Sequence, residues 1–164
     1  MKVLVISVHP DDETLGCGGT ILKHVGHGDS VYWLIITSTV EILGYSNEFI
    51  EKRKQQITSV AKAYRFTETY NLDYPTARLH TVDLSDLIAK ISLVINDVKP
   101  MVVYTINRSD IHTDHQVVAR AVMSSTKSFR YPFIKRLLMY ECLSETEIET
   151  VAKGFNPLPF LFGV

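Results

Sequence analysis

Cysteine is scarce in this chain: Cys17 and Cys142 are the only two among 164 residues. Two thiols so far apart make no disulfide framework, so a small stapled scaffold is excluded. No sign of charge prevails either, with 17 Lys and Arg against 18 Asp and Glu and a formal net charge of −1. The basic footprint of a nucleic-acid binder is therefore missing, although net charge says little about what one pocket accepts. Long hydrophobic runs are missing as well. Stretches such as Val31–Ile36 fall far short of the roughly 20 apolar residues that a membrane-spanning helix takes. The first eight residues hold one Lys and a short apolar run that flows straight into a charged motif, which is unlike a secretory signal. A soluble, cytoplasmic protein with no membrane span is expected. Internal repeats and low-complexity tracts are absent.

What is present is about one domain's length of chain, with 46% hydrophobic residues to fill a core. Strand-like and helix-like patterns alternate. Lys2–Val8, Ser30–Thr37 and Met101–Ile106 are apolar runs rich in Val and Ile, the composition of strands buried on both faces. Glu68–Leu72 and Leu137–Cys142 are shorter strand candidates. Thr14–Val25 reads as a helix stopped by Gly26 and Gly28. Asn47–Tyr64 follows, with Ile50, Ile57, Val60 and Ala61 on one side. Asp83–Val98 carries a clean apolar stripe ended by Lys99-Pro100, and Thr113–Ser125 turns Val117, Val118, Ala121 and Val122 inward. This alternation predicts an α/β fold, a Rossmann-like three-layer sandwich around a mostly parallel sheet. Its expected strand order is 3-2-1-4-5, with right-handed crossovers. In such sheets ligands bind beyond the carboxyl ends of the strands, where the strand order reverses.

Two loops at that rim are rich in chemistry. The first is His9-Pro10-Asp11-Asp12-Glu13, and the second runs from Ser109 through Asp110, His112 and Asp114 to His115. Imidazole and carboxylate are zinc ligands, and catalytic zinc commonly takes three protein ligands plus a water. Spare carboxylates and imidazoles then serve as base, acid or orienting groups. Plainer readings compete. Asp11 and Asp12 could simply cap the next helix, and His112 and His115 could be surface residues at a helix start. What favours chemistry is the pairing: with the order 3-2-1-4-5, strands one and four are neighbours and the two loops face each other.

His9–Glu13 followed by Thr14-Leu15-Gly16-Cys17-Gly18-Gly19-Thr20 resembles the signature of the LmbE-like/PIG-L family of zinc-dependent de-N-acetylases. His112-Thr113-Asp114-His115 is similar to that family's second motif, and the likeness extends through Arg53, Asp73, Tyr140-Glu141 and Phe155-Asn156-Pro157. The resemblance implies a hydrolase that removes acetyl from an N-acetylated amino sugar or its conjugate. By the same likeness, His9, Asp12 and His115 are the expected zinc ligands and Asp11 the general base. His112 would stabilise the oxyanion or donate a proton, and Asp114 would orient an active-site imidazole. Arg53 and Asp73 would contact substrate. A metal hydrolase of another amide or an ester is an alternative, as is a metal-binding but inactive member. Family members continue for tens of residues past the equivalent of Val164, so a single domain over 1–164, shortened at its C-terminal end, is also expected.

Other features read as structural. Gly16, Gly18 and Gly19 fall inside the first helix rather than in the strand-to-helix turn, so they suit close packing better than a dinucleotide loop. His24 and His27 read as solvated, and Cys17 as a small buried residue. Phe155, Leu158, Phe160, Leu161 and Phe162 make an apolar tail. Such a tail either docks on its own domain, extending the sheet, or buries against a second copy in a homo-oligomer. The second outcome is the expected one.

Overall fold

The computed structural model describes residues 1–142 and the backbone of 160–161. Five strands run parallel in the order β3-β2-β1-β4-β5. They are β1 (Lys2–Ser7), β2 (Ser30–Ser38), β3 (Glu68–Pro75), β4 (Val102–Ile106) and β5 (Arg136–Tyr140). Helices α1 (Asp12–Gly26) and α2 (Asn47–Tyr64) join β1 to β2 and β2 to β3, α3 (Leu84–Val98) crosses back from β3 to β4, and α4 (Thr113–Ser125) joins β4 to β5. α1 contacts α2, and α3 packs on α4. Right-handed crossovers running in opposite directions from β1 and β4 place these two pairs on opposite faces of the sheet. Two short 3-10 turns, Glu41–Leu43 and Leu79–Thr81, interrupt the loops before α2 and α3.

The central strands are apolar on both faces because both are covered. Leu4, Val5, Ile6, Leu34, Ile36 and Val103 are essentially inaccessible, each contributing about 1.5–3 kcal/mol of burial. Trp33 is also buried, and its indole Nε1–H donates to Ser7 Oγ at 2.8 Å.

Several boundaries differ from the sequence expectation for local reasons. β3 continues past Leu72 to Pro75, and its pairing with β2 slips between Ile35 and Thr37. Two β3 residues there, Leu72 and Asp73, oppose Ile36 alone, and Asp73 adopts φ +55°. This is a β-bulge, which bends a strand and re-aims its side chains. α1 starts at Asp12 and is kinked at Cys17 (φ −142°, ψ 21°). A Cβ on Gly16 would meet Tyr140 Cδ2 at 2.2 Å, and one on Gly18 would meet the Tyr64 hydroxyl at 2.6 Å. These two glycines therefore admit β5 and α2 to the helix backbone, and Cys17 is buried as expected.

His24 is a correction: it is not solvated. Its Nδ1 lies 2.7 Å from Asp29 Oδ2 and its Nε2 3.0 Å from the Tyr104 hydroxyl, while Asp29 also receives the Met1 ammonium. His27 is exposed. A two-residue strand, β6 (Phe160–Leu161), pairs antiparallel with β5. That backbone extends the sheet, the first of the two outcomes considered for the tail. Phe155, Leu158 and Phe162 lie outside the described residues. Among the described residues, no helix is long and apolar enough to cross a membrane.

Candidate metal centre

β1 and β4 are hydrogen-bonded neighbours, from which right-handed crossovers send the helices to opposite faces. The loops at their carboxyl ends therefore meet, bringing residues 9–13 against residues 107–115. His9 Nδ1 and His115 Nε2 face each other at 3.1 Å. Asp12 brings Oδ1 to 3.5 Å from His115 Nε2 and Oδ2 to 3.8 Å from His9 Nδ1.

The other nitrogen of each imidazole faces a carboxylate. His9 Nε2 is 3.4 Å from Asp114 Oδ2, and His115 Nδ1 is 3.0 Å from Asp110 Oδ2. Those carboxylates assign the tautomers, since an ionised acid only accepts. With the outer nitrogens protonated, His9 Nδ1 and His115 Nε2 both present lone pairs to the same point, as does Asp12. Such convergence is repulsive unless a cation lies between. Donors of a tetrahedral ion with bonds of roughly 2.0–2.1 Å are about 3.3 Å apart, close to the separations here. The residues thus fit a zinc-type ion, and the backing carboxylates follow the usual pattern behind metal-bound histidines.

Asp12 is buried, and its Oδ2 accepts from the backbone N–H groups of Val8 (3.0 Å) and His9 (2.8 Å). It does not cap α1; it folds back onto the end of β1. Burial pushes its pKa up, opposed by His115 and His9. Asp11 occupies the N-cap position, yet its side chain makes no capping bond and is 54% exposed. Asp114 is fully buried and accepts from Ala77 N (2.6 Å) and Leu79 N (3.1 Å). Burial alone would raise its pKa; the bonds from His9, Leu79 and Ala77 outweigh that and hold it below the usual carboxylate range.

His112 does cap its helix: its Nδ1 accepts from Asp114 N at 3.1 Å. A neutral imidazole bonded that way carries its proton on Nε2, which makes that nitrogen a donor rather than a metal ligand. One ring nitrogen from each of His9, His112 and His115 nevertheless falls within 4.8 Å of the other two. The Asp12 oxygens and this tautomer argument favour Asp12 over His112 as the third ligand.

Two buried acids were not singled out from the sequence. Asp110 is inaccessible and holds both His115 Nδ1 and, through Oδ1, the His112 N–H at 2.9 Å. Its place in the second loop was the only available signal. Glu13 accepts from Ser7 Oγ (3.0 Å) and Thr14 Oγ1 (2.7 Å), and burial raises its pKa. It links the first turn of α1 to Ser7 and Trp33 in the sheet.

The centre opens into a cleft of about 1050 Å³ between the β1–α1 loop, the β2–α2 loop and α2. His9, Asp11, Asp12, His112 and His115 line its base, and Arg53 and Asp73 line its wall. Arg53 Nη2 lies 3.8 Å from Asp11 Oδ2, and its Nη1 donates to Gln56 Oε1 at 3.5 Å. Asp114 acts from behind His9. All eight expected site residues therefore belong to one neighbourhood.

The fold and this cluster define an α/β protein with a histidine–carboxylate centre at its topological switch point. Residues 4–126 match the family model for PIG-L, GlcNAc-PI de-N-acetylase, and the chain belongs to this deacetylase family. It is 30% identical to the uncharacterized deacetylase YaiS of Escherichia coli, over 85% of this chain and 72% of that protein. It is 28% identical to the probable N-acetyl-alpha-D-glucosaminyl L-malate deacetylase 2 of Bacillus cereus, over 74% of this chain and 59% of that one. Among solved structures, the N,N'-diacetylchitobiose deacetylase of Pyrococcus horikoshii superimposes with a TM-score of 0.71 at 23% identity. The match covers 85% of this chain and 60% of that structure, and shows a shared fold.

Proposed function

We propose that this protein is a zinc-dependent hydrolase that removes acetyl from an N-acetylated amino sugar or its conjugate. The observation that carries this reading is the convergence of His9 Nδ1, His115 Nε2 and the Asp12 carboxylate, each imidazole backed by a buried acid, at the base of an open cleft. His9, Asp12 and His115 would hold the ion. When bound, zinc lowers the pKa of a water toward about 7 and polarises a carbonyl.

The chain's own groups divide the remaining work. Asp11, exposed to the cleft and tied to no backbone donor, takes the proton from the attacking water as its oxygen bonds to the acetyl carbon. His112 aims a donor Nε2–H at the carbonyl oxygen as negative charge grows there; such a donor is typically worth about 2.7–4 kcal/mol of barrier. The C–N bond then breaks, the proton passes to the amine nitrogen, and acetate and free amine leave. Asp114 and Asp110 keep His9 and His115 in the ligating tautomer. Arg53 and Asp73 contact the sugar from the wall. The acetylated-sugar substrates named for the Bacillus cereus and Pyrococcus horikoshii proteins support this substrate class.

The test is acetate and free-amine release from a panel of N-acetylglucosamine derivatives by the zinc-loaded full chain. Release, abolished in His115→Ala, is the expected result. Stoichiometric zinc with no release from any amide in the panel would establish the metal-binding, inactive alternative.

A further inference from the structure

The mechanism leaves the outer half of the cleft unused, and its chemistry is distinctive. Gly44 turns the chain at φ +86°, and Ser46 caps α2 by accepting from Phe49 N at 3.2 Å. These two devices fix Tyr45 just before the helix and Phe49 in its first turn. Their rings stack, 5.3 Å apart and 15° from parallel. Both line the cleft, with Val40, Ile50 and Leu15 beside them.

An apolar residue preceding a helix often packs on its first turn as a staple, and that accounts for the contact. It does not account for the exposure. Tyr45 remains 36% and Phe49 42% accessible, whereas the other seven tyrosines are buried or half-buried. A stacked aromatic pair left open on the wall of a cleft is a platform for a flat ring. Its faces carry negative quadrupole charge, attracting ring C–H groups and repelling anions.

The charges nearby point the same way. The cations of the described cleft wall are Arg53 and Lys54, and each already meets an acid: Asp11 at 3.8 Å and Glu51 at 2.7 Å. Glu41 and Asp73 add two further carboxylates to the same wall. A carboxylate or phosphate on the substrate would face an excess of like charge there.

We propose that the Tyr45–Phe49 pair is a second subsite that binds an uncharged six-membered ring attached to the N-acetylated sugar, and that anionic conjugates are disfavoured. This rests on the deacetylase reading above and names the substrate class within it. The ring is either a second neutral pyranose, whose axial C–H groups point out of its face, or an aryl group, which offers a flat face and a C–H edge.

The experiment compares kcat/KM of the zinc-loaded full chain on four compounds. These are N-acetylglucosamine, N,N'-diacetylchitobiose, the 4-nitrophenyl glycoside of N-acetylglucosamine, and its L-malate glycoside. One or both two-ring neutral substrates should exceed the monosaccharide and the malate conjugate by about tenfold; the better of the two identifies the ring. Tyr45→Ala and Phe49→Ala should collapse that ratio through KM, and Tyr45→Trp should keep it. A preference for the malate conjugate, or a ratio unmoved in both alanine variants, overturns the proposal. Saturation-transfer NMR separates the two readings. If no compound is deacetylated, the function proposed above fails. Chitobiose or aryl-glycoside contact with the chain, lost in the alanine variants, would still uphold the subsite, and no contact in the wild type would end it.

Discussion

His9 Nδ1, just past the end of β1, and His115 Nε2, in the first turn of α4, point at each other 3.1 Å apart, with a carboxylate behind each ring. With both outer nitrogens protonated, two lone pairs so placed suit a cation. His115→Ala should therefore abolish stoichiometric zinc binding, measured by elemental analysis after dialysis. Full occupancy in that variant would remove His115 from the ligand set.

Asp110 supports the same centre from behind, holding His115 Nδ1 at 3.0 Å. Asp110→Asn keeps the shape but can present N–H where an acceptor is needed. Zinc affinity should fall by about 10–100-fold, the usual consequence of losing a partner behind a ligand. Competition with a chromogenic chelator measures it, and unchanged affinity would mean that Asp110 has no part in orienting the ring.

Asp11 and Asp12 are adjacent, yet one is exposed and one buried. Asp11→Asn should retain zinc and lose about 10²–10⁴ in kcat. Loss of the metal with Asp11 would show that the two roles are exchanged.

Much of this was legible beforehand, for physical reasons. α2 and α4 have the bounds that the sequence suggested because Ser46 and His112 cap them. β1, β2 and β4 announce themselves because a strand covered on both faces is apolar throughout. The bulge at Asp73 left no trace, since an Asp in the left-handed region depends on the pairing partner, not on its neighbours in sequence. Asp110 signalled itself only by its place in the second loop: its partner His115 is reached only through the loop's folded shape. The solvated reading of His24 failed because Asp29 and Tyr104 come to it from other elements. The 160–161 backbone of the tail lies along β5 and extends its own sheet.

The glycines of α1 should separate cleanly by site. Gly16→Ala drives a methyl into Tyr140 and Glu141 O, at 2.2 and 2.5 Å, and should cost about 1–3 kcal/mol. A methyl at Gly19 meets nothing within 4 Å, so Gly19→Ala should stabilise the helix by about 0.5–1 kcal/mol. Urea titration of both variants checks the pair.

Asp29, bonded to the Met1 ammonium and to His24, has its pKa lowered by those two hydrogen bonds. A depressed carboxylate stabilises fully above its unfolded pKa, about 3.9, and that stabilisation disappears as pH falls through the lower folded value. Asp29→Asn should therefore melt below the wild type at pH 7, with the gap closing once the pH drops below about 4. A gap that does not narrow at all as the pH falls below about 4 would assign the effect to packing.

His9 and His115 are 106 positions apart along the chain. Their stretch contains β2, β3 and β4, so an ion gripping both ends would be a clasp on a closed ring of chain. During synthesis the first half of the grip waits roughly 5–20 s for the second at ordinary elongation rates. Neither half supplies all three of the proposed ligands by itself. Metal capture through this ligand set would consequently be a late event, possible only once β4 has docked beside β1.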